Sequence, residues 1–200
     1  MNNDVDQGIR FGTWSDSTSR LLYHDIMPVL LNGIDTSGRV GDLGGGNGLL
    51  REWFTKLVTI DNDVTKQPDI VDDILTHVGT YDLIVLRYVL HYLTDEQVSV
   101  LMEHLCSYHN GPILVIQFVN DNVFDKQRNS VNEVKFFRTE YQLLRLLAPT
   151  TSTTTSWRVL DRKRVDYRVQ AEFYRNRLGN PGGYAHDEAV VGLLLTQEKS

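Results

Sequence analysis

Short apolar runs alternate with helix-forming stretches between residues 39 and 119, and this alternation constrains the fold more than any other feature. Arg39 to Leu43 reads as a strand ending at glycines, Leu57 to Ile60 as a second, and Asp69 to Val71 as a short third. Tyr81 to Leu86 is a fourth and Pro112 to Val119 a fifth, both apolar enough to be buried on both faces, as strands of a parallel sheet are. Leu49 to Lys56 reads as a short helix. Thr94-Asp95-Glu96-Gln97 is a capping box, in which Thr94 and Gln97 satisfy each other's free amides. It opens a helix to about Tyr108 with Val98, Leu101, Met102 and Leu105 on its inner face. Thr139-Glu140-Tyr141-Gln142 repeats the pattern before Leu143, Leu144, Leu146 and Leu147. Strands alternating with helices predict an α/β fold: a doubly wound, mostly parallel sheet with helices on both faces. Ligands of such sheets sit beyond the carboxyl ends of the strands, at the topological switch point.

The flanks add less regular material. Ser17 or Ser19 caps a helix carrying Leu21, Leu22, Ile26, Val29 and Leu30, which Asn32-Gly33 stops and Pro28 can kink. The tract from Thr150 to Ser156 reads as a surface connection. Trp157 to Leu160 is ambiguous, but Val165, Tyr167 and Val169 alternate with Arg164, Asp166 and Arg168, the period of a half-exposed strand. Ala189 to Leu195 is a last strand before the polar tail Thr196 to Ser200. Two late strands without a long helix between them make the sheet seven-stranded with an antiparallel C-terminal strand. The expected organisation is a single domain over residues 1–200, with an N-terminal cap segment at 1–37, a ligand-binding core at 38–149, and C-terminal strands and covering elements at 150–200.

Val40-Gly41-Asp42-Leu43-Gly44-Gly45-Gly46-Asn47-Gly48-Leu49 is the most informative segment for function. Glycines admit positive φ and let the backbone approach a ligand. Several cofactor classes use such turns. A dinucleotide fingerprint would want glycine or alanine where Leu49 stands, and no Lys-Ser or Lys-Thr follows to make a P-loop. Asp42 stands two positions before Gly44, inside the end of the strand. Together these residues resemble motif I of the class I S-adenosylmethionine (SAM)-dependent methyltransferases. The resemblance covers about residues 38 to 119, with a matching final strand at 189 to 195.

It implies a turn of Gly44, Gly45, Gly46 and Gly48 around the amino acid end of SAM, with Asp42 below it. Asp61, at the end of the second strand, falls at the family's acidic ribose-binding position, where a carboxylate can accept both hydroxyls; Asp63 is a nearby competitor. Asp73 with Ile74 matches the adenine-reading motif, and Asp72 is one register away. Arg87 falls at the end of the fourth strand, beside the expected methyl donor. Leu90-His91-Tyr92-Leu93 is similar to the family's Leu-His-x-Leu stretch, so His91 either lies against the cofactor or is a satisfied structural histidine. The resemblance thus implies SAM as cofactor and methyl transfer as activity.

The acceptor site is less readable, because SAM carries its own activation and the protein mainly aligns and shields the reactants. Arg87-Tyr88-Val89-Leu90 stands where amino-group DNA and protein methylases have an Asp/Asn-Pro-Pro-Tyr tetrad, and no cysteine lies at a strand end for the cytosine-5 mechanism. Both absences favour a small-molecule acceptor methylated on O or N. Candidate acceptor-site groups are Trp14, Tyr23 and His24 near the N-terminus, Gln117 and Phe118 near strand five, and Tyr174, Asn176, Arg177 and His186 towards the C-terminus. His24, His91 and His186 are the candidate bases.

Composition narrows the partners. A net charge of −6 argues against a nucleic-acid partner without excluding one, and Arg158, Arg162, Lys163, Arg164 and Arg168 would supply a basic stripe. The single cysteine, Cys106, precludes an intrachain disulfide and suits a reducing compartment. No apolar stretch approaches the ~20 residues that span a bilayer, and the polar start is unlike a signal peptide. A cytoplasmic protein without a membrane partner is expected. The six histidines show no ligand spacing with carboxylates, so no metal is expected. Competing readings are a methylase of RNA, DNA or protein, a SAM-binding regulator without turnover, and a nicotinamide-dependent reductase.

Overall fold

The computed structural model describes residues 26–120, 127–130, 133–136, 138–148, 155–166 and 188–199. Strands β1 (Val40–Leu43), β2 (Leu57–Asp61), β3 (Ile70–Val71), β4 (Leu83–Arg87) and β5 (Ile113–Asn120) come first. A hairpin of β6 (Gln127–Ser130) and β7 (Glu133–Phe136) follows, then β8 (Thr155–Asp166) and β9 (Glu188–Lys199). The hairpin stands apart, and the other seven strands form one sheet in the order β3-β2-β1-β4-β5-β9-β8. β1 to β5 pair in parallel, while β9 is antiparallel to both β5 and β8. The chain leaves β1 for β2 and β3 on one side, then returns to β4 on the other. That reversal makes the gap above β1 and β4 the switch point.

Both faces of the sheet are covered, and β4 shows how. Ile84 and Leu86 join a core with Leu101, Leu105, Leu143, Leu147 and Trp157, whereas Leu83 and Val85 join a second with Ile26, Leu30, Leu50 and Phe54. The first core lies under helices α1 (Asp95–Tyr108) and α2 (Glu140–Leu147). Both predicted capping boxes form: Gln97 N–H donates to Thr94 Oγ1 at 3.2 Å, and Gln142 N–H to Thr139 Oγ1 at 3.1 Å. Each Gln side chain accepts the reciprocal N–H.

Several elements differ from the sequence expectation. The helix read over Leu49 to Lys56 is a single 3-10 turn at Leu49–Glu52, because few residues remain to carry the chain back along β1; a 3-10 turn rises more per residue than an α-helix. In the helical residues 26–30, Met27 rather than Val29 faces the core. Thr155 and Ser156 belong to β8 rather than to a connection, and β9 continues through most of the supposed polar tail. The β6–β7 hairpin had no sequence signal. Tyr167 and Val169, and residues 150–154 of the threonine tract, lie outside the described residues.

β8 is the sheet's edge, and its charges face the outside or a neighbour. Arg162 and Arg164 both pair with Glu140 of α2, at 3.0 and 2.9 Å. Two members of the basic stripe are therefore committed to holding α2 on the sheet. Arg168 lies outside the described residues. Charged side chains on an edge strand also discourage pairing with a further strand.

Candidate functional site

The strand register brings the predicted groups to one edge. Leu43 pairs with Ile60 on one side and Leu86 on the other, so β1, β2 and β4 end level. The glycine turn grows from that edge: Gly44 N–H donates to Ile60 O at 2.7 Å, and Gly48 N–H closes the turn on Gly45 O at 3.1 Å. Gly44 has φ of 74°, and a Cβ there would meet Val89 Cγ2 at 2.5 Å, so any other residue would both strain and clash. Gly46, with φ of 54°, opens toward Asp61.

Asp61 is nearly buried beside the turn. It accepts N–H donations from Gly46 to Oδ2 at 3.0 Å and from Asp63 to Oδ1 at 2.9 Å. Two amides thus lock its orientation and leave one lone-pair direction on each oxygen. Lys66, which the sequence did not single out, places its ammonium 3.5 Å from Asp61 Oδ2 and 3.8 Å from Asp63 Oδ2. Asp63 instead caps the next turn by accepting from Thr65, whose hydrogen bonds hold its carboxyl below the usual carboxylate range.

Asp42 lies beneath Gly45, fully buried, and neither carboxyl oxygen has a hydrogen-bond partner. Burial pushes its pKa from 3.8 up to about 6, against the pull of the Arg87 guanidinium. The Arg87 guanidinium also donates to Gly45 O at 3.4 Å. An acid shifted upward in the folded state carries no penalty below its unfolded value. It loses stability as pH rises through that window, roughly 3 kcal/mol in all. Asp42→Asn removes the charge but keeps a buried polar amide. The variant is therefore expected to stabilise the ligand-free protein by about 1–2 kcal/mol at pH 8 and by about 2 kcal/mol less at pH 4.5, where no gain remains. Urea unfolding at the two pH values checks this; an equal change at both would contradict it.

After β3, Asp72 is engaged within the protein. Its Oδ2 meets His77 Nδ1 at 2.9 Å, Oδ1 accepts Asp73 N–H at 2.9 Å, and His77 Nε2 lies 2.9 Å from the Tyr81 hydroxyl. The bond from His77 draws the Asp72 carboxyl below its ordinary range. Asp73 is exposed, its Oδ1 accepting Leu75 N–H, and Ile74 is buried next to it.

At the ends of β4 and β5, Gln117 and His91 are both buried and bonded to each other. Tyr88 follows Arg87 in the left-handed region at φ of 50° and stacks on Phe118 with ring centroids 4.2 Å apart. A bulky residue held there is strained, a feature that clusters at ligand sites. Nothing in the sequence marks that conformation. Trp14, Tyr23, His24, Tyr174, Asn176, Arg177 and His186 lie outside the described residues. Among the described residues no cluster of His, Cys, Asp or Glu could hold a metal ion, and no helix is long and apolar enough to cross a membrane.

No family model matches the chain, and no curated protein matches its sequence. Solved structures do match its fold. Coclaurine N-methyltransferase bound to N-methylheliamine and S-adenosylhomocysteine superposes with a TM-score of 0.58 at 12% identity, covering 90% of this chain and 72% of that one. The 1,6-didemethyltoxoflavin-N1-methyltransferase of Burkholderia thailandensis, with its namesake and S-adenosylhomocysteine bound, gives 0.59 at 14% identity, over 93% of this chain and 85% of that one. The cyclase SpnF gives 0.60 at 14% identity, over 90% and 80%. With its strand order, parallel core and antiparallel β9, the chain has the fold of the class I SAM-dependent methyltransferases.

Proposed function

We propose that the protein is a SAM-dependent methyltransferase that transfers a methyl group to an O or N atom of a small-molecule acceptor. The observation that carries the reading is the meeting of the glycine turn with Asp61, whose Oδ2 accepts the Gly46 amide at 3.0 Å. The same contact that aims the carboxylate leaves lone pairs on both oxygens for the two hydroxyls of a ribose. Lys66, bridging Asp61 and Asp63 from a half-exposed position, must yield one of those directions.

Asp42 fits a cationic ligand. Its carboxyl oxygens are buried without a partner directly under the turn, so a positive charge above Gly45 would favour the ionised form. The engagement of Asp72 by His77 leaves Asp73, with Ile74, as the adenine-side pair. SAM supplies the methyl group on a sulfonium. This chain's residues bind its ends, and Arg87 with the Tyr88–Phe118 stack lines the edge where an acceptor would approach. On this reading the single domain divides into an N-terminal cap segment at 1–37, a SAM-binding core at 38–149, and C-terminal strands with acceptor-covering elements at 150–200. The N-methylheliamine and 1,6-didemethyltoxoflavin held by two fold neighbours support a small acceptor. The single cysteine supports a cytoplasmic assignment.

Fold alone does not separate this reading from others, since a cyclase shares it. Calorimetry with SAM, S-adenosylhomocysteine and NAD separates it from a nicotinamide enzyme, and release of S-adenosylhomocysteine from SAM on turnover separates it from a cyclase or a SAM-binding regulator. SAM and its demethylated product are expected to bind and NAD to give no heat. Tight NAD binding would replace the reading with a nicotinamide enzyme.

A further inference from the structure

His91 was a candidate base, and its surroundings bear on whether it can be one. It sits in the 3-10 turn Leu90–Tyr92 that follows β4. Gln117, near the end of β5, reaches that turn with both ends of its amide. Its Oε1 accepts Leu90 N–H at 3.2 Å, and its Nε2 lies 2.9 Å from His91 Nδ1 and 3.5 Å from Phe118 O. A backbone N–H can only donate and a backbone carbonyl can only accept. The two main-chain contacts therefore fix which end of the amide is oxygen and which is nitrogen. Turning the amide over would set its NH2 group against Leu90 N–H and its oxygen against Phe118 O, losing both bonds in a buried site.

With the amide oriented this way, Nε2 of Gln117 donates and His91 Nδ1 accepts. We propose that Gln117 is a positioning residue that holds His91 as the neutral ring with its proton on Nε2, making His91 a hydrogen-bond donor rather than a base. The Nδ1 lone pair is used by the amide, and Nε2 already carries its hydrogen, so no nitrogen remains to take a proton from an acceptor. The turn that carries His91 is held from the other side as well, because Arg138 donates to Leu90 O at 2.7 Å. His91 is further packed at 4.1 Å between ring centroids on Tyr92, with the Phe118 edge 6.2 Å away. The location of the proton does not depend on the methyltransferase reading; only its consequence, that the acceptor is deprotonated by another group or needs no base, rests on it.

Nitrogen-15 spectra of the histidine rings in the ligand-free protein at pH 7 test this, with His91→Asn identifying the resonances of His91. A pyridine-type Nδ1 and a pyrrole-type Nε2 are expected. In Gln117→Glu the carboxylate can only accept, so Nδ1 should gain a proton and its pyridine-type resonance should be lost. In Gln117→Met, which keeps the volume and removes the amide, the pair should average. A proton on Nδ1 in the wild-type protein, or spectra unchanged in Gln117→Met with the fold intact by amide fingerprint, would overturn the proposal. Because no cofactor is present, failure here leaves the SAM-binding test untouched, and the reverse also holds.

Discussion

Arg138→Ala is expected to destabilise the protein by about 3–5 kcal/mol, the largest effect of any single substitution considered. Arg138 is buried, and each of its three guanidinium nitrogens has an acceptor. Nε donates to Asp95 Oδ1 at 2.8 Å, one terminal nitrogen to Leu90 O at 2.7 Å, and the other to Leu93 O at 2.7 Å. It thereby ties the start of α2 to both ends of the turn after β4 and to the first residue of α1. Alanine would leave buried carbonyls without donors, each costing about 1–3 kcal/mol. Arg138→Lys should recover little, because an ammonium cannot reach three separated acceptors as the planar fork does. Urea denaturation measures the loss. A change below about 1 kcal/mol would mean that water or neighbouring groups replace the fork.

The second large effect concerns ligand affinity. Asp61→Ala is expected to weaken S-adenosylhomocysteine binding on the order of 100-fold, about 2.7 kcal/mol. The carboxylate does two jobs in this account, receiving the ribose and anchoring the Gly46 and Asp63 amides. Asparagine keeps one acceptor oxygen but adds a donor that faces one of the two N–H groups. Asp61→Asn should therefore lose about tenfold, between wild type and alanine. The Asp42→Asn variant, by contrast, should gain stability and lose affinity together. Such opposite changes are expected of a buried charge retained for a ligand.

The sheet was readable because each of its strands is a local pattern. β4 and β5 are almost wholly apolar runs, β1 ends at glycines, and both long helices announce themselves with a Thr-x-x-Gln box. The glycine turn and Asp61 were readable for a related reason: both sit at strand ends, so naming the strands placed them. What escaped the sequence depends on contacts between distant residues. Arg138 looks like an ordinary cation before a cap, and only the fold brings it to Leu90 and Leu93, more than 40 positions away. The left-handed Tyr88 and the Lys66 ammonium over Asp61 have no local signature either. The length of the first helix was misjudged because apolar Leu49, Leu50, Trp53 and Phe54 suit a helix, while the short return to β2 admits only one tight turn. Gln117 was read as a contact for the acceptor, and the bonds of its buried amide to Leu90, His91 and Phe118 had no sequence signal.

The proposed function requires above all that Asp61 and the Gly44–Gly48 turn together grip a SAM-type nucleoside. Titration of S-adenosylhomocysteine into wild type, Asp61→Asn and Asp61→Ala, with each fold verified by its unfolding transition, tests this most directly. A graded loss of affinity across the three, ending on the order of 100-fold weaker, is the predicted result. Equal affinity in all three folded proteins would contradict it.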